Sequence, residues 1–571
     1  MPTSTGTPSM IRTSGSATIQ PNLMPGSSAV RWTAIDAAVW MALAAALIML
    51  RLSPSFLPEL NHDSFQYLSA ARNAMRGLIG YTSLLHFDVE RSFGVTPAPM
   101  VTFALGYPLA IAGVGLTGFE LTTAGLVVST VATIASVPLL MWIARQLGFK
   151  RVLCNSIAAC FVVNGVVVEF GSAVLSEALC TMGMLAGVAL LLRAGRLPVR
   201  TAWPIWVAAG AAFAAAYFAR YAGLFFIVGL GLLTLRHIAS RNRELARGHA
   251  IALGVALCAV LAVIGRNMSL VGNWRGRDEM LVHNPVFTAL IQTGQGINAL
   301  FLGSGIHSSL PGGTFLPKVL LVTLLFGGLA ALTWMHLRDH ATTTENAIAN
   351  RGAAVDIMLL AITYGACMFY AGMTSSISYG EARNFVPIAS LLFLMLGWAI
   401  HIVLSKVPHA PALRRSALVA LAASFCLYAY LNILVMRRPA VNATAEVASM
   451  MNGTTNDGKT IRSAIGDIVG SGVILANNGQ AVGHVLGVPT VSMVGPTFST
   501  AIWDEATVRE TIQRFKVAAV VISTPIAGQP QDDELPSSFI RQLASGQSPA
   551  WLKLTSRSDR VLVYVPDIAF H

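Results

Sequence analysis

Long apolar runs separated by short polar connections fill residues 33–436 of the sequence. A membrane-spanning helix needs about 20 mostly apolar residues, and these runs are of that order. The pattern predicts a polytopic α-helical membrane protein with about 11–13 transmembrane helices. The spans that can be delimited are 34–50, 121–144, 152–170, 173–193, 202–218, 221–236, 249–266, 316–335, 354–372, 384–404 and 416–435.

Composition and charge support this class. The chain is 54% hydrophobic and only 11% charged, and its mean hydropathy is +0.63. The formal charge of +12 could indicate a nucleic-acid partner, but the basic residues cluster in short loops between apolar runs, which is typical of cytoplasmic loops. We therefore expect membrane lipids and no nucleic acid as partners. The basic loops are 145–151, 193–200, 236–247 and 405–415.

With these basic loops in the cytoplasm, the long loops 51–100 and 267–315 face the other side of the membrane, as does the C-terminal region. The segment 101–118 would break this alternation if it were a full span. Because it contains Pro108 and four glycines, we predict a re-entrant or interfacial element there.

The two ends of the chain differ from its apolar middle. Residues 1–32 are rich in Ser, Thr, Pro and Gly and carry no acidic residue, which predicts a disordered cytoplasmic tail. Residues 33–436 form the predicted membrane module. Residues 437–571 alternate strand-like runs with amphipathic helical patterns, which predicts a small soluble α/β domain outside the membrane. All six cysteines lie in apolar runs, so no disulfide framework or thiolate metal site is indicated.

The polar stretch 61–77 after the first apolar run predicts one short helix. Asp63 can serve as the N-cap, with Gln66 at the N3 position of a capping box, and Gly77 suits a left-handed C-cap. Phe65 and other apolar residues at helical spacing predict a helix lying along the membrane surface. Asp63 is then either a carboxylate available for chemistry or only a helix cap, and the sequence leaves both interpretations open.

Four further charged residues interrupt or abut apolar spans at the same outer level as Asp63. Charges at such positions are costly and tend to face a cavity, although each alone could be a paired or snorkelling interfacial charge. Their convergence on one level predicts a site. They are Glu177, Arg220, Arg266 and Arg383.

These residues lie in motifs that resemble those of the GT-C membrane glycosyltransferases, in the branch with protein O-mannosyltransferases and lipid A aminoarabinose transferases. The stretch from Asp63 to Arg72 resembles the acidic first-loop motif of that group. Each motif is weak alone, but their order and spacing are fairly specific. The other matching stretches are Gly106-Tyr107-Pro108-Leu109, Leu175-Ser176-Glu177-Ala178-Leu179, Ala219-Arg220-Tyr221-Ala222-Gly223, Gly265-Arg266-Asn267 and Ala382-Arg383-Asn384-Phe385-Val386-Pro387.

The resemblance implies transfer of a sugar from a polyprenyl-phosphate donor to a hydroxyl of a glycan, lipid or protein acceptor, with inversion. It implies a bacterial inner-membrane enzyme whose active site faces the periplasm or exterior. Asp63 and Glu177 are the implied catalytic carboxylates. The implied substrate-binding residues are Tyr67, Arg72, Arg220, Arg266, Asn267 and Arg383.

Two departures from the family pattern bear on cofactors. Ser64 stands where many relatives carry a second acid, and Leu105 replaces the first proline before Gly106. No cofactor is therefore assigned, and dependence on a divalent metal stays open. A transporter or flippase of lipid-linked glycans is the alternative function, although no inverted repeat supports it. A non-enzymatic assembly subunit is a third.

Overall fold

The structure is a computed structural model, and it describes most of the chain in separate stretches. Short pieces between 422 and 466 and residue 58 are described as well. The main stretches are 27–53, 60–87, 89–276, 284–302, 345–374, 381–406, 472–494, 502–523, 535–558 and 560–567.

Helices dominate the first three-quarters of the chain. We number them in chain order and treat short 3-10 turns separately. They are α1 Ser27–Leu52, α2 His62–Met75, α3 Gly106–Gly115, α4 Leu121–Gln146, α5 Arg151–Val162, α6 Gly165–Gly171, α7 Glu177–Ala194, α8 Val199–Ala219, α9 Leu224–Ala239, α10 Arg243–Val271, α11 Val286–Leu302, α12 Glu345–Thr374 and α13 Val386–Lys406.

The predicted polytopic membrane class is confirmed. Within the described stretches, eight helices are long and apolar enough to cross a membrane, or nine if the bent pair α5 and α6 forms one span. These nine correspond to nine of the eleven spans predicted from the sequence. The predicted span 316–335 lies outside the described residues, and 416–435 is described only in short pieces.

The span predicted at 152–170 is broken in the middle, with a 61° bend between α5 and α6. Asn164 lies at the break. Its side-chain oxygen accepts a hydrogen bond from Val167 N at 2.9 Å and so caps α6, while its amide donates to Leu300 O at 2.7 Å. Asn432 accepts from Gly165 N at 2.8 Å. Polar side chains thus satisfy the backbone groups that the break releases.

The segment that disturbed the predicted alternation contains a short helix, α3, of ten residues. At about 15 Å this helix is too short to cross a bilayer, which agrees with the predicted re-entrant or interfacial element. Gly106 lets its first turn approach α8, since a Cβ at that position would lie 2.6 Å from the Phe218 carbonyl carbon. The glycine of the Gly-Tyr-Pro motif is therefore required by packing.

The C-terminal region folds as the predicted small α/β domain. Two short strands of loop 51–100, β1 Tyr81–Thr82 and β3 Ala98–Pro99, form a separate antiparallel pair. The sheet of the C-terminal domain has six strands in the order β2-β5-β4-β6-β8-β7. The four strands β2, β5, β4 and β6 run parallel, and β8 and β7 add antiparallel neighbours. The strands are β2 Leu84–Leu85, β4 Val473–Ala476, β5 Thr490–Ser492, β6 Val517–Ser523, β7 Leu552–Arg557 and β8 Val561–Pro566, and the domain helices are α14 Gly479–Leu486, α15 Glu505–Phe515 and α16 Ser538–Ser545.

One strand of this sheet comes from loop 51–100. In β2, Leu84 and Leu85 pair with Thr490 and Val491 of β5. The predicted division of the chain at residue 437 is therefore incomplete, because part of loop 51–100 belongs to the α/β domain. A strand of two residues is too short to be predicted from hydrophobic alternation. It nevertheless covers the edge of β5 that would otherwise be unpaired.

The N-terminal boundary also differs from the prediction. The first helix begins at Ser27, so residues 27–32 of the predicted disordered tail are helical. Once the apolar span is helical, each added residue gains a hydrogen bond at little further cost, and the helix extends beyond the apolar stretch. Residues 1–26 of the predicted tail lie outside the described part.

Candidate functional site

The N-terminus of α2 is capped by Asn61, not by Asp63 as predicted. The Asn61 side chain accepts a hydrogen bond from Ser64 N, and the Ser64 hydroxyl accepts one from Asn61 N, both at 3.1 Å. The capping box thus starts two residues earlier than predicted. Gln66 takes no part in it and donates instead to Leu84 O at 2.8 Å. Gly77 has the predicted left-handed conformation, with φ of +85°.

Protein covers α2 on most of its surface. Phe65 and Leu68 are buried, as are the polar side chains Gln66 and Asn73. The helix packs between α3 and α14 of the C-terminal domain. The apolar face that suggested a helix lying along the membrane surface therefore packs against protein.

With the cap assigned to Asn61, the Asp63 carboxylate is free to make another contact. Its Oδ2 lies 3.1 Å from Arg383 Nη1, and the Arg383 Nε lies 2.6 Å from Glu381 Oε2. The Asp63 side chain is 14% exposed and that of Arg383 is 24% exposed. This ion pair joins two chain positions 320 residues apart and remains within reach of solvent.

A second acid–arginine pair lies deeper. Glu177 Oε1 accepts a hydrogen bond from Arg220 Nη1 at 2.8 Å, and the Glu177 side chain is fully buried. Arg220 Nη2 also donates to Asn384 Oδ1 at 3.0 Å. Since Asn384 directly follows Arg383, the buried pair and the partly exposed pair belong to one network.

Two tyrosines complete this network. The Tyr67 hydroxyl lies 3.1 Å from the Ser176 hydroxyl, one residue before Glu177, and Tyr364 donates to Asn384 O at 2.7 Å. Burial raises the pKa of Tyr67 above its usual value, and the Asp63 carboxylate raises it further. Tyr67 is therefore a neutral hydroxyl at physiological pH, able to donate or accept a hydrogen bond.

The local backbone explains where these charges lie. Asp63 is in the first turn of α2 and Glu177 is in the first turn of α7, where the helix dipole favours negative charge. Arg220 lies in the extended link after α8, and Arg383 lies in the 3-10 turn before α13. The two acids thus project from helix starts, and the two arginines from breaks between helices.

The remaining predicted substrate-binding residues lie apart from these two pairs. Arg266 donates to Gly80 O at 2.9 Å and Met100 O at 3.2 Å, so it holds the backbone of loop 51–100. A Cβ at Gly80 would lie 2.5 Å from this guanidinium. Asn267 donates to Trp274 O at 3.4 Å. Arg72 lies beside α14, where its charge contributes to lowering the pKa of His484.

Comparison with known proteins supports the predicted resemblance. Residues 126–275 match the model of the dolichyl-phosphate-mannose-protein mannosyltransferase family. Among solved structures, ArnT from Cupriavidus metallidurans in the apo state superposes with a TM-score of 0.52 at 14% sequence identity, covering 94% of this chain and 98% of that one. ArnT is a GT-C membrane glycosyltransferase. This chain has the GT-C fold.

Two further structures share this GT-C fold. The archaeal oligosaccharyltransferase AglB from Archaeoglobus fulgidus superposes with a TM-score of 0.53 at 12% identity, over 87% of this chain and 70% of that one. The arabinofuranosyltransferase AftD from Mycobacteria gives 0.54 at 14% identity, over 95% and 42%. A comparison with curated proteins gives no significant match. The resemblance stated from the sequence is thus confirmed at the level of the fold.

The residues around Asp63 do not fit a metal site built from three protein ligands. In the described stretches, no group of three His, Cys, Asp or Glu ligand atoms gathers there. The position next to Asp63 is Ser64, whose hydroxyl is used in the capping box, and the nearest charged partner is the Arg383 guanidinium. The departure of Ser64 from the family pattern therefore has a structural counterpart.

Several residues of the network were missed as site residues. Ser176, Asn384 and Glu381 are close in sequence to predicted residues, so a polar neighbour in the same motif was the available signal. Tyr364 lies in an apolar run, where a polar aromatic residue was the only signal. Outside this network, Gln480 contacts His62, which lies 418 residues away, and no sequence signal pointed to that contact.

Proposed function

We propose that this chain is a glycosyltransferase that moves a sugar from a polyprenyl-phosphate carrier to a hydroxyl of a glycan, lipid or protein acceptor. The observation that carries the proposal is the Asp63–Arg383 pair, a partly exposed carboxylate held 3.1 Å from a guanidinium. A carboxylate suits proton removal from a hydroxyl, and a guanidinium suits a phosphate. The same fold in ArnT binds undecaprenyl phosphate, and in AglB binds dolichol-phosphate and a peptide.

The charges of the site suggest how donor binding prepares the base. The Arg383 guanidinium contacts both Asp63 and Glu381. Its N–H donors lie in one rigid plane, so the number of acceptors that it can bind at once is limited. A donor phosphate at Arg383 competes with the Asp63 carboxylate for these donors. Donor binding would thereby release Asp63 from its ion pair and raise its affinity for a proton just when one must be accepted.

The transfer step then needs one base and one stabilised leaving group. The acceptor oxygen attacks the anomeric carbon while Asp63 takes the hydroxyl proton. The bond between the anomeric carbon and the phosphate oxygen breaks, and its electron pair stays on the polyprenyl phosphate, where Arg383 stabilises the negative charge. A single displacement of this kind inverts the anomeric centre. Asp63 thus holds the proton of the acceptor, and Arg383 stabilises the charge of the departing phosphate.

Glu177 and Arg220 have a different part in this proposal. Because Glu177 is fully buried and bonded to Arg220, it is poorly placed to meet an acceptor hydroxyl. We propose that Glu177 orients Arg220, and that Arg220 in turn holds Asn384 beside Arg383 through its 3.0 Å hydrogen bond. Arg220 also adds positive potential near the donor phosphate.

We further propose that the site faces the periplasm or exterior of a bacterial inner membrane, since the basic loops lie at the other ends of the spans. Cysteine labelling from outside intact cells tests this. Exposed Val95 replaced by cysteine should react with an impermeant reagent, whereas exposed Lys150 replaced by cysteine should not. Labelling of Lys150→Cys from outside would contradict the assignment.

The activity is tested with purified protein in detergent and a radiolabelled polyprenyl-phosphate sugar. The proposal predicts release of the sugar from the lipid and its appearance on an added acceptor mixture. A transporter of lipid-linked glycans would instead move the intact donor across vesicles without cleaving it. Transport of uncleaved donor, with no sugar release across the acceptors tried, would favour that alternative.

A further inference from the structure

A second polar cluster lies at the other end of the helix bundle. His237 is in the last turn of α9, His249 in the second turn of α10, and Asp356 in the N-terminal half of α12. Because α9 starts next to Arg220, His237 lies about 20 Å along the helix from the candidate active site. The mechanism proposed above makes no use of these three side chains.

The three side chains converge closely. Each offers one ligand atom, and these atoms all lie within 4.8 Å of one another. Both histidines are buried, at 5% exposure for His237 and 4% for His249. His237 Nε2 lies 3.5 Å from Asp356 Oδ2. It makes no hydrogen bond within the stretches that the structure describes. A buried imidazole nitrogen without a hydrogen bond needs another explanation.

Each of the other two groups is oriented as a metal ligand would be. His249 Nδ1 lies 2.8 Å from Leu245 O, and because a carbonyl can only accept, Nδ1 carries the proton. Nε2 of His249 is then left with its lone pair. The guanidinium of Arg236 holds Asp356 Oδ1. Backbone or side-chain support of this kind fixes the tautomer and direction of metal ligands in proteins.

We propose that His237, His249 and Asp356 bind a divalent cation of the zinc class. Two imidazoles and one carboxylate suit Zn²⁺ in a tetrahedral site with a fourth, open position. With ligand distances of about 2.0–2.2 Å, ligand atoms in such a site are about 3.3–3.5 Å apart. The 3.5 Å between His237 Nε2 and Asp356 Oδ2 already has this spacing. Bound there, the cation would tie α12 to the α9–α10 hairpin.

An ordinary ion pair between His237 and Asp356 explains the cluster less well. Arg236 already neutralises the Asp356 carboxylate. An ion pair would also give no role to His249, whose ring centroid lies 4.6 Å from that of His237. Arg236 and Asp356 are 32% and 16% exposed, so water or an anion can reach this end of the cluster as a fourth ligand.

The test measures metal bound to the intact protein. The protein is produced without a histidine tag, so that the 12 histidines of the chain are the only ones present. After removal of metal with a chelator and dialysis against micromolar Zn²⁺, we expect close to one Zn²⁺ per chain. His249→Gln and Asp356→Asn should lower the affinity at least tenfold. His401→Gln is the matched control, since His401 is a half-buried histidine packed on Phe149 and Trp398. It should keep the full amount.

A titration of the unaltered protein with Co²⁺ decides the matter if the variants fail to fold. A tetrahedral site with nitrogen and oxygen ligands should give saturable visible absorption at one Co²⁺ per chain, displaced by Zn²⁺. Less than one-tenth of a Zn²⁺ per chain and no saturable Co²⁺ spectrum would overturn the proposal. Equal binding by folded His249→Gln would overturn it too. Because these readouts measure metal and not sugar transfer, they stand apart from the proposed glycosyltransferase activity.

Discussion

Two acid–arginine pairs lie side by side in the candidate site and differ in their access to solvent. Asp63 and Arg383 are 14% and 24% exposed, whereas Glu177 is fully buried beneath Arg220. A buried charge that loses its partner costs several kcal/mol, whereas a partly exposed pair can exchange partners at little cost. We therefore assign positioning to the deep pair, Glu177 and Arg220. Donor binding and proton transfer are assigned to the shallow pair, Asp63 and Arg383.

The largest effect on stability is expected at the deep pair. Arg220→Gln leaves Glu177 buried without its cation and should lower the free energy of unfolding by about 3–5 kcal/mol. The double variant Glu177→Gln/Arg220→Gln should recover much of this loss, because no uncompensated charge remains. Chemical unfolding of the purified protein measures both. An Arg220→Gln protein as stable as the parent would remove the distinction between the two pairs.

At the shallow pair, Arg383→Lys should change donor binding and leave the fold intact. Lysine keeps the charge but not the planar fork. We expect a loss of about 1.5–3 kcal/mol of donor binding, or roughly 10- to 150-fold in Kd, with unfolding changed by less than about 1 kcal/mol. Arg76→Lys, at an exposed position beyond α2, is the control. Equal donor affinity in both variants would exclude Arg383 as the phosphate ligand.

A further comparison concerns the contact between α2 and the C-terminal domain. Gln480 of α14 lies 2.6 Å from His62 Nδ1 through its side-chain oxygen and donates to His62 O at 3.0 Å. Gln480→Ala should weaken this contact by about 1–2 kcal/mol and speed amide exchange in α14. Exposed Gln513→Ala should leave that exchange unchanged. Unaltered exchange in Gln480→Ala would mean that other contacts hold the domain.

A change in pH should also alter the stability of the fold. Burial, with a contribution from Arg72, lowers the pKa of His484 to about 4, against 6.5 when unfolded. The neutral form therefore stabilises the fold fully above pH 6.5, and this contribution is lost as pH falls from 6.5 towards 4. The expected slope is up to about 1.4 kcal/mol per pH unit. His484→Phe should flatten the stability profile in this window, and an unchanged profile would show that His484 does not contribute.

The sequence predicted the charged residues of the site by two routes. Glu177, Arg220 and Arg383 interrupt or abut apolar runs, and a charge at such a place needs a partner or a function. Asp63 was predicted from the polar helix that follows the first span. The sequence could not show which acid pairs with which arginine, since Asp63 and Arg383 are 320 residues apart. Their neighbours Ser176 and Asn384 were within the matching stretches but carried no charge to distinguish them.

What the sequence could not predict depends on long-range packing. The N-cap was misassigned because Asn61 and Asp63 are equally good cap residues, and the sequence does not show that Asp63 contacts Arg383 instead. The two-residue strand β2 has no periodicity, and only its pairing with β5 defines it. The buried polar face of α2 likewise makes sense only once residues 81–84 supply its hydrogen-bond partners, as Leu84 O does for Gln66.

The role of Asp63 as the base is tested by transfer in a single turnover of Asp63→Asn, with donor binding measured on the same sample. Because Asn61 caps α2, the variant should fold normally. Donor binding should be at least as tight as in the parent, since no carboxylate then competes for Arg383. Transfer should be slower by roughly a hundred- to ten-thousand-fold, the usual cost of losing a positioned base.

Asn61→Ala supplies the matched control for this measurement. It removes the cap that the structure assigns, so it should cost about 1 kcal/mol of stability and leave most of the transfer rate. We predict slow transfer with intact donor binding in Asp63→Asn and near-normal transfer in Asn61→Ala. Transfer by Asp63→Asn within a few-fold of the parent would contradict this prediction, and Asp63 would then not be the base.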